Sequence, residues 1–373
     1  MTHAGCVSPS RLRPCSDRVG HSILGRMAAG LQTRSALIEA LPKAELHVHL
    51  EGSIVPELAL RLAERHQIAL PGAERGVEGL REAYEFRNFA DFLKVYMAIS
   101  STLQTEQDFA DAVVGVAEVL AKQSVRYAEM TFTPMTHVAR GTAADAMLSG
   151  LAQGRIRARE EQGVELAWVF DVVRSLPDQA MPTLELALRA QGDGVVALGV
   201  GGPEGPKYSV EPLAPAFARA RAEGLRSVPH AGEQYGAPSL RETLELLDPD
   251  RIGHGVRCLE DPAIVDAIVS RGIQLEVCPS SNVALKVVPS LAVHPLPRLQ
   301  QAGIQLSLGS DDPPLFGTTL VQEYERCAET FDWGPPEILA MARAAVEHSF
   351  MPAEAKQALI AEQEAVAARV LSS

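Results

Sequence analysis

The sequence predicts an α/β fold, a (β/α)8 TIM barrel with extra helices inserted after the first strand. Eight short apolar, β-branched runs alternate with helical stretches, which is typical of parallel strands joined by crossover helices. Polar motifs follow five of these runs, as expected where reactive groups lie at the C-terminal ends of barrel strands. The 373 residues are also enough for one large barrel with insertions. The predicted strands are Ala44–Leu50, Val125–Phe132, Glu165–Asp171, Val195–Val200, Arg226–His230, Arg251–His254, Ile273–Cys278 and Gln305–Gly309.

The stretches between these strands are predicted to be helices. Leu213–Gly224 and Asp261–Gly272 carry apolar residues three and four apart and end at glycine. The interval from Glu51 to Ser124 is far longer than one βα unit needs, so we expect extra helices there. It contains an aromatic stripe at helical spacing, from Phe86 to Tyr96, which either packs helix against helix or forms a lid that lines an apolar substrate pocket.

The first 26 residues contain four arginines and a single acid, Asp17, with no long apolar run. This composition does not resemble a cleavable secretory signal, and an organellar transit peptide is an alternative. We expect residues 1–26 to be a tail or a mis-assigned start, with Met27 as the alternative start. Residues 27–373 are predicted to form a single domain, because no internal repeat or low-complexity linker divides them.

Charge and cysteine content narrow the class of function. The net charge of −13 argues against binding to nucleic acid or to an anionic membrane, because both need clustered cations. The sequence has no apolar run of the length that a membrane-spanning helix needs. Five scattered cysteines without CxxC spacing indicate reduced thiols and therefore a cytoplasmic protein. A small neutral or weakly basic substrate fits this acidic composition. The sequence does not determine the oligomeric state.

Four residues at strand ends are candidate metal ligands. His47 and His49 are two residues apart on the first strand, so both side chains point to the same face, into the barrel. Such a pair is by itself more often structural than metal-binding. His230 ends the fifth strand and Asp311 the eighth, and barrel closure brings both toward the first strand. Three imidazoles and one carboxylate suit zinc and leave a position for water, as in catalytic sites.

One metal ion is favoured over two at this site. The end of the fourth strand reads Gly199-Val200-Gly201-Gly202-Pro203-Glu204 and offers no lysine that could bridge two metals as a carbamate; Lys207 comes a few residues late. These glycines either form a tight turn or expose backbone N–H groups to a flat ring.

Three further polar residues are candidates for proton handling. His254 ends the sixth strand and is placed to act as a base or to orient the attacking water. Glu233 follows His230 by three residues, and burial would raise its pKa enough for it to donate a proton. Asp312 follows Asp311 and is free to hydrogen-bond a substrate, although a paired Asp-Asp is commonly a solvated turn or a helix N-cap.

The motifs HVHLEG, PHAGE, IGHG and SLGSDDP, in this order, resemble those of the adenosine deaminase family of zinc aminohydrolases. The resemblance implies hydrolytic replacement of the 6-amino group of a purine by oxygen, with release of ammonia. It assigns the zinc ligands to His47, His49, His230 and Asp311. It further implies the following roles: Glu233 protonates ring N1, His254 assists the attacking water, Asp312 binds N7, and the backbone N–H of Gly202 contacts N3.

Two departures from typical adenosine deaminases bear on the substrate. Glu51 stands where they carry an aspartate tied to the ribose 5′ side, so we expect Glu51 to contact substrate. The segment GVGGPE is less acidic than theirs and is similar to that of 6-aminodeoxyfutalosine deaminases of menaquinone biosynthesis. HLEG also occurs in adenine deaminases.

These departures lead to an expected substrate and three alternatives. We expect a 6-aminopurine nucleoside, adenosine or a 5′-modified relative. The alternative enzymes are a 6-aminodeoxyfutalosine deaminase and an adenine deaminase. A non-catalytic purine-binding barrel would have lost Glu233 or His254, and both are present.

Overall fold

The computed structural model describes residues 1–2, 31–86 and 89–372, so most of the N-terminal segment and its predicted boundary lie outside the described residues. Eight parallel strands form one sheet in the order β1 to β8. The prediction of a (β/α)8 barrel is confirmed, and every predicted strand is present within two residues of its predicted ends. The strands are β1 (Lys43–His49), β2 (Val125–Phe132), β3 (Glu165–Val173), β4 (Val195–Gly201), β5 (Arg226–Ala231), β6 (Arg251–His254), β7 (Gln274–Val277) and β8 (Leu306–Leu308).

Backbone hydrogen bonds between the first strand and the segment after the last strand close the barrel. The N–H of His49 donates to the carbonyl of Asp311 at 2.9 Å, and the N–H of Asp311 donates to the carbonyl of His47 at 3.0 Å. These two bonds place the three side chains at the same rim of the barrel, where the C-terminal ends of the strands meet.

Helices surround the sheet, and four of them lie between β1 and β2, which confirms the predicted insertion. The helices at 214–222 and 262–270 also lie within the stretches predicted for them. The helices are α1 (31–40), α2 (Pro56–His66), α3 (Gly76–Ala83), α4 (Phe89–Ser100), α5 (Glu106–Ala121), α6 (Pro134–Val138), α7 (Ala144–Arg157), α8 (Ala180–Arg189), α9 (Ala214–Ala222), α10 (Gly236–Leu246), α11 (Pro262–Ser270), α12 (Pro279–Ala284), α13 (Leu296–Gln301), α14 (Pro313–Phe316), α15 (Leu320–Thr330), α16 (Pro335–His348) and α17 (Ala353–Leu371).

Local sequence signals account for the helix ends. Asp261 caps α11 by accepting a hydrogen bond from the N–H of Ala263 at 2.9 Å, and Pro262 occupies the first helical position, where no N–H is needed. Gly272 follows the helix with a φ of +65°, a conformation that favours glycine. None of the helices in the described ranges has the length and apolar character needed to cross a bilayer.

A charged network lies inside the barrel beneath the rim. Arg251 of β6 is buried and donates to Glu276 of β7 at 2.6 Å and to Glu129 of β2. Its guanidinium also lies 4.0 Å from the ring centroid of Phe350, at the opposite end of the barrel from the site. Glu276 in turn contacts His47 at 2.9 Å, so this network connects the barrel interior to the C-terminal end of β1 at the barrel rim.

Candidate active site

The barrel rim brings together the four candidate metal ligands. His49 Nε2 lies 3.2 Å from His230 Nε2 and 3.3 Å from Asp311 Oδ1. His47 Nε2 lies 3.7 Å from the same Asp311 oxygen. Strands β1 and β5 and the end of β8 thus deliver their side chains to one point, as the spacing along the chain predicts.

These donor atoms fit a zinc ion. Ligands at about 2.0–2.1 Å from a tetrahedral zinc lie roughly 3.3–3.4 Å from one another, close to the distances between the side-chain atoms here. His47 Nε2 is buried and has no hydrogen-bond partner, so its lone pair is available. Its other nitrogen, Nδ1, faces Glu276, and such a carboxylate contact fixes the tautomer of a metal-binding histidine.

Burial and neighbouring charges determine the protonation states of these candidate metal ligands. It lowers the pKa of His49 to about 4 and the pKa of His230 well below its usual range, so both imidazoles are neutral near pH 7. Burial opposes ionisation of Asp311, yet the neighbouring histidines, His254 first, hold the pKa of that carboxyl below its ordinary value. Neutral imidazoles and an ionised carboxylate are the forms that bind a metal.

A second group of possible ligands shares two of these residues. One donor atom each of His47, His254, Cys278 and Asp311 lies within 4.8 Å of the others. Burial raises the pKa of the Cys278 thiol well above its usual range, whereas a metal needs the thiolate. Burial lowers the pKa of His254, but the carboxylates of Glu233 and Asp311 outweigh it and raise that pKa, so the ring is a stronger base and a proton competes with a metal for its nitrogen. The donor chemistry therefore favours His49 and His230 over this pair.

Glu233 lies beside the cluster with a free carboxyl oxygen. Its Oε1 is buried without a hydrogen-bond partner and is 3.9 Å from His254 Nε2. Burial raises the pKa of Glu233 to about 7. His254 and Asp311 both have left-handed φ values, +63° and +64°, which are costly for non-glycine residues and tend to occur at functional sites.

Asp312 faces the cavity and does not cap the following helix. It precedes α14 but makes no side-chain capping hydrogen bond, and its Oδ1 is buried without a partner. Burial, together with the charge of Asp311, raises the pKa of Asp312 well above its usual range. Only glycine fits at position 52 of the HLEG motif, because a Cβ on Gly52 would lie 1.5 Å from Asp312 Oδ1.

The other two predicted substrate-binding residues lie in different environments. Gly202 lines the cavity with a φ of +91°, which suits glycine in the turn after β4. Glu51 is fully buried behind the cavity wall and is not among its lining residues. Its Oε1 accepts a hydrogen bond from the Thr133 N–H at 3.2 Å and lies 3.1 Å from His137 Nε2. Glu51 therefore does not line the cavity, whereas the sequence predicts that it contacts substrate.

Asp171 lines the cavity, and the sequence analysis assigned it no role. Asp171 of β3 is buried, its Oδ1 has no partner, and its Oδ2 lies 3.8 Å from His230 Nδ1. A Cβ on Gly199 would lie 2.0 Å from Asp171 Oδ1, and one on Gly201 2.6 Å from Oδ2. The glycines of β4 thus make room for this side chain. An acid inside the otherwise apolar run of β3 was the available signal.

These side chains line a cavity of about 470 Å³ at the barrel mouth. The aromatic stripe of α4 packs against α14, where Phe92 stacks on Phe316 at 5.3 Å between centroids, and the same helix lines the cavity. Leu93, Met97 and Leu176 at the mouth are 41%, 37% and 48% exposed. The apolar and aromatic lining comprises Phe89, Phe92, Leu93, Tyr96, Met97, Val173, Leu176, Tyr208, Leu285 and Phe316.

The barrel and its rim cluster define the class as an amidohydrolase-type (β/α)8 enzyme. The family model described as adenosine deaminase matches residues 42–366. The chain therefore belongs to the adenosine deaminase family and is a hydrolytic deaminase.

Curated relatives and a solved structure agree with this assignment. An adenine deaminase of Rhodospirillum rubrum is 40% identical over 316 residues, which cover 84% of this chain and 93% of the relative. An aminodeoxyfutalosine deaminase of Streptomyces avermitilis is 38% identical over 332 residues, covering 88% and 91%. The crystal structure of an adenine deaminase from Arthrobacter aurescens is 35% identical with a TM-score of 0.82, covering 87% of this chain and 99% of that one.

Proposed function

We propose that this enzyme uses one zinc ion to deaminate a 6-aminopurine nucleoside, adenosine or a relative modified at the 5′ position. The products are the 6-oxopurine and ammonia. The observation that carries this proposal is the buried Oε1 of Glu233, which has no hydrogen-bond partner and lies beside His254 and the histidine cluster in one cavity. A proton donor, a base and a metal site within one enclosed space are what hydrolytic deamination requires.

His47, His49, His230 and Asp311 would hold the zinc. When bound, zinc acts as a Lewis acid and activates water at neutral pH. In this proposal Glu276 orients His47 through its contact with Nδ1 at 2.9 Å, as carboxylates commonly do at zinc sites.

The remaining residues handle protons and orient the ring. Glu233 donates its proton to ring N1, which makes C6 electrophilic. The oxygen of the attacking water bonds to C6 while His254 takes one of its protons. The bond between C6 and the amino nitrogen then breaks as that nitrogen receives the proton from His254 and leaves as ammonia, and the remaining hydroxyl proton passes to Glu233 as the 6-oxo group forms. Asp312, kept protonated by burial and by Asp311, donates a hydrogen bond to N7, and the Gly202 N–H donates to N3.

The cavity supports a nucleoside without a phosphate. Among the described residues that line it there is no lysine or arginine, the side chains that most often bind a phosphate. The exposed apolar side chains of Leu93, Met97 and Leu176 at its mouth favour a substituent that extends beyond the purine. This favours a 5′-modified nucleoside, with 6-aminodeoxyfutalosine as one form.

Adenine is the second candidate substrate, because an adenine deaminase of Trichlorobacter lovleyi is 42% identical to this chain over 335 residues. We also propose a cytoplasmic location with a small-molecule purine as partner. The buried cysteines Cys258, Cys278 and Cys327 are free thiols, which suits a reducing compartment.

Ultraviolet monitoring of the purified protein with adenosine, adenine, 5′-methylthioadenosine and 6-aminodeoxyfutalosine tests the substrate. We expect a modified nucleoside to have the highest kcat/KM, and a preference for adenine would refute the nucleoside assignment.

Replacement of Glu233 tests the proton donor. Glu233→Gln should keep zinc and lose turnover by about 100-fold or more, since general acid catalysis contributes roughly 100- to 10,000-fold. Glu211→Gln, on the exposed surface, is the matched control. Activity like that of the wild type in the Glu233 variant would refute its role.

A further inference from the structure

The carboxylate of Glu204, in the turn after β4, accepts hydrogen bonds from the turn after β5. Its side chain is 3% exposed. The four consecutive backbone N–H groups of residues 232–235 donate to it at 2.7, 3.1, 2.8 and 2.7 Å. The Ser239 hydroxyl adds a fifth hydrogen bond at 2.9 Å. The carboxylate of Glu204 therefore accepts a hydrogen bond from every backbone N–H group of the turn that carries Glu233.

Arg174, in the turn after β3, holds the same region from the other side. Its guanidinium is 2% exposed and lies 3.8 Å from Glu204 Oε1, so it offsets part of the buried negative charge. Its Nη2 donates to the carbonyl of His230 at 2.5 Å, and its Nη1 donates to Ser239 Oγ at 3.2 Å. The turn is thus held at both ends as well as along its N–H groups.

Glu204 lines the cavity, but the lone pairs of its carboxylate are all occupied by hydrogen bonds within the protein. Its Oε1 accepts from the N–H of Gly232 and from Ser239, and its Oε2 accepts from the next three N–H groups. A carboxylate has about four lone-pair sites, so five donors saturate it. Any influence of Glu204 on the reaction must therefore pass through the turn that it holds.

We propose that Glu204 is a positioning residue that fixes the distance between Glu233 and Gly202. This inference rests on the proposed function, in which Glu233 protonates N1 and the Gly202 N–H contacts N3. Both nitrogens belong to one rigid six-membered ring, so the two turns must keep a constant separation. Glu204 lies two residues after Gly202 and binds the N–H of Glu233 itself, so it joins the two turns directly. Without it, four N–H groups lose their acceptor and the turn can shift.

A double-mutant cycle between Glu204 and Glu233 tests the proposal on the full-length, zinc-loaded protein. In the wild-type background we expect Glu204→Gln to lower kcat about 100-fold, the effect of misplacing a reacting group by roughly 1 Å. The Gln amide is nearly isosteric but replaces one acceptor oxygen with a donor. KM and bound zinc should stay within about threefold of the wild type, because the ligands are untouched. In the Glu233→Gln background the same substitution should change the residual kcat by less than about threefold, since Glu204 acts through Glu233.

The matched control is Glu242→Gln. Glu242 accepts hydrogen bonds from Ser209 and from the Val210 N–H, which belong to the same loop as Glu204, and not from the N–H groups of residues 232–235. It should keep kcat and KM.

Three outcomes overturn the proposal: kcat of Glu204→Gln equal to the wild type, an equal loss of kcat in both backgrounds, or a loss that appears in KM alone. If Glu204→Gln does not fold, as judged by circular dichroism, Glu204→Asp replaces it in the cycle under the same criteria. If the wild type itself deaminates no 6-aminopurine, the proposed function fails instead, so the two failures are distinguishable.

Discussion

The glycine of the IGHG motif allows a specific test of the metal site. A Cβ on Gly253 would lie 2.8 Å from His47 Cε1 and 3.2 Å from His230 Cγ. Carbon atoms in contact prefer about 3.5–4.0 Å, so Gly253→Ala requires the His47 ring to retreat by roughly 0.7 Å or more. The ring is also held at Nδ1 by Glu276 at 2.9 Å, and its Cβ lies close to Gly309, where an added Cβ would be only 2.7 Å away.

Functional groups at such sites must be held within about 0.5 Å, and a displacement near 1 Å costs roughly 100-fold. We therefore expect Gly253→Ala to fold but to lose about 100-fold in zinc affinity and in kcat/KM. Competition with a chelator measures the former and ultraviolet monitoring of purine turnover the latter. Gly192→Ala is the control, since nothing lies within 4 Å of its Cβ position. A Gly253→Ala protein with the zinc affinity and kcat/KM of the wild type would refute this reasoning.

Two further predictions concern buried charges. Glu276→Gln weakens the contact that orients His47, so zinc affinity should fall roughly 10- to 100-fold in a chelator competition; an unchanged affinity would contradict the role of Glu276. Burial lowers the pKa of Lys43 from 10.5 to about 7, and its ammonium donates to the carbonyls of Leu41 and Gln123. Between these values the unfolded chain binds more protons than the folded chain, so stability rises with pH. Relative to Lys43→Met, the free energy of unfolding in urea should rise by about 2 kcal/mol from about pH 7 to about pH 9, and a constant difference would contradict the burial argument.

Local sequence patterns were sufficient for the strands, the inserted helices and the position of each motif at a strand end. His47 and His49 illustrate why: alternation along a strand sends both side chains to one face, whatever the rest of the chain does. Barrel closure then needs only the strand order to bring His230 and Asp311 to the same rim.

Contacts between residues of different strands and helices determine which carboxyl side chains line the cavity. Glu51 lies only two residues after His49, yet its contacts with His137 and Thr133 hold it behind the cavity wall. Asp171 reaches the cavity because the neighbouring strand carries glycine at Gly199 and Gly201.

Glu204, Glu276 and Arg251 have no motif spacing that reveals their role, since each acts on residues far away in the chain. Glu204 binds a turn about 30 residues later, and Glu276 contacts a histidine on a strand 229 positions earlier. The position of a residue in the sequence determines where it lies along its strand and which face its side chain points to. The register between strands and the packing around each side chain determine what it reaches, and those depend on the closed barrel as a whole.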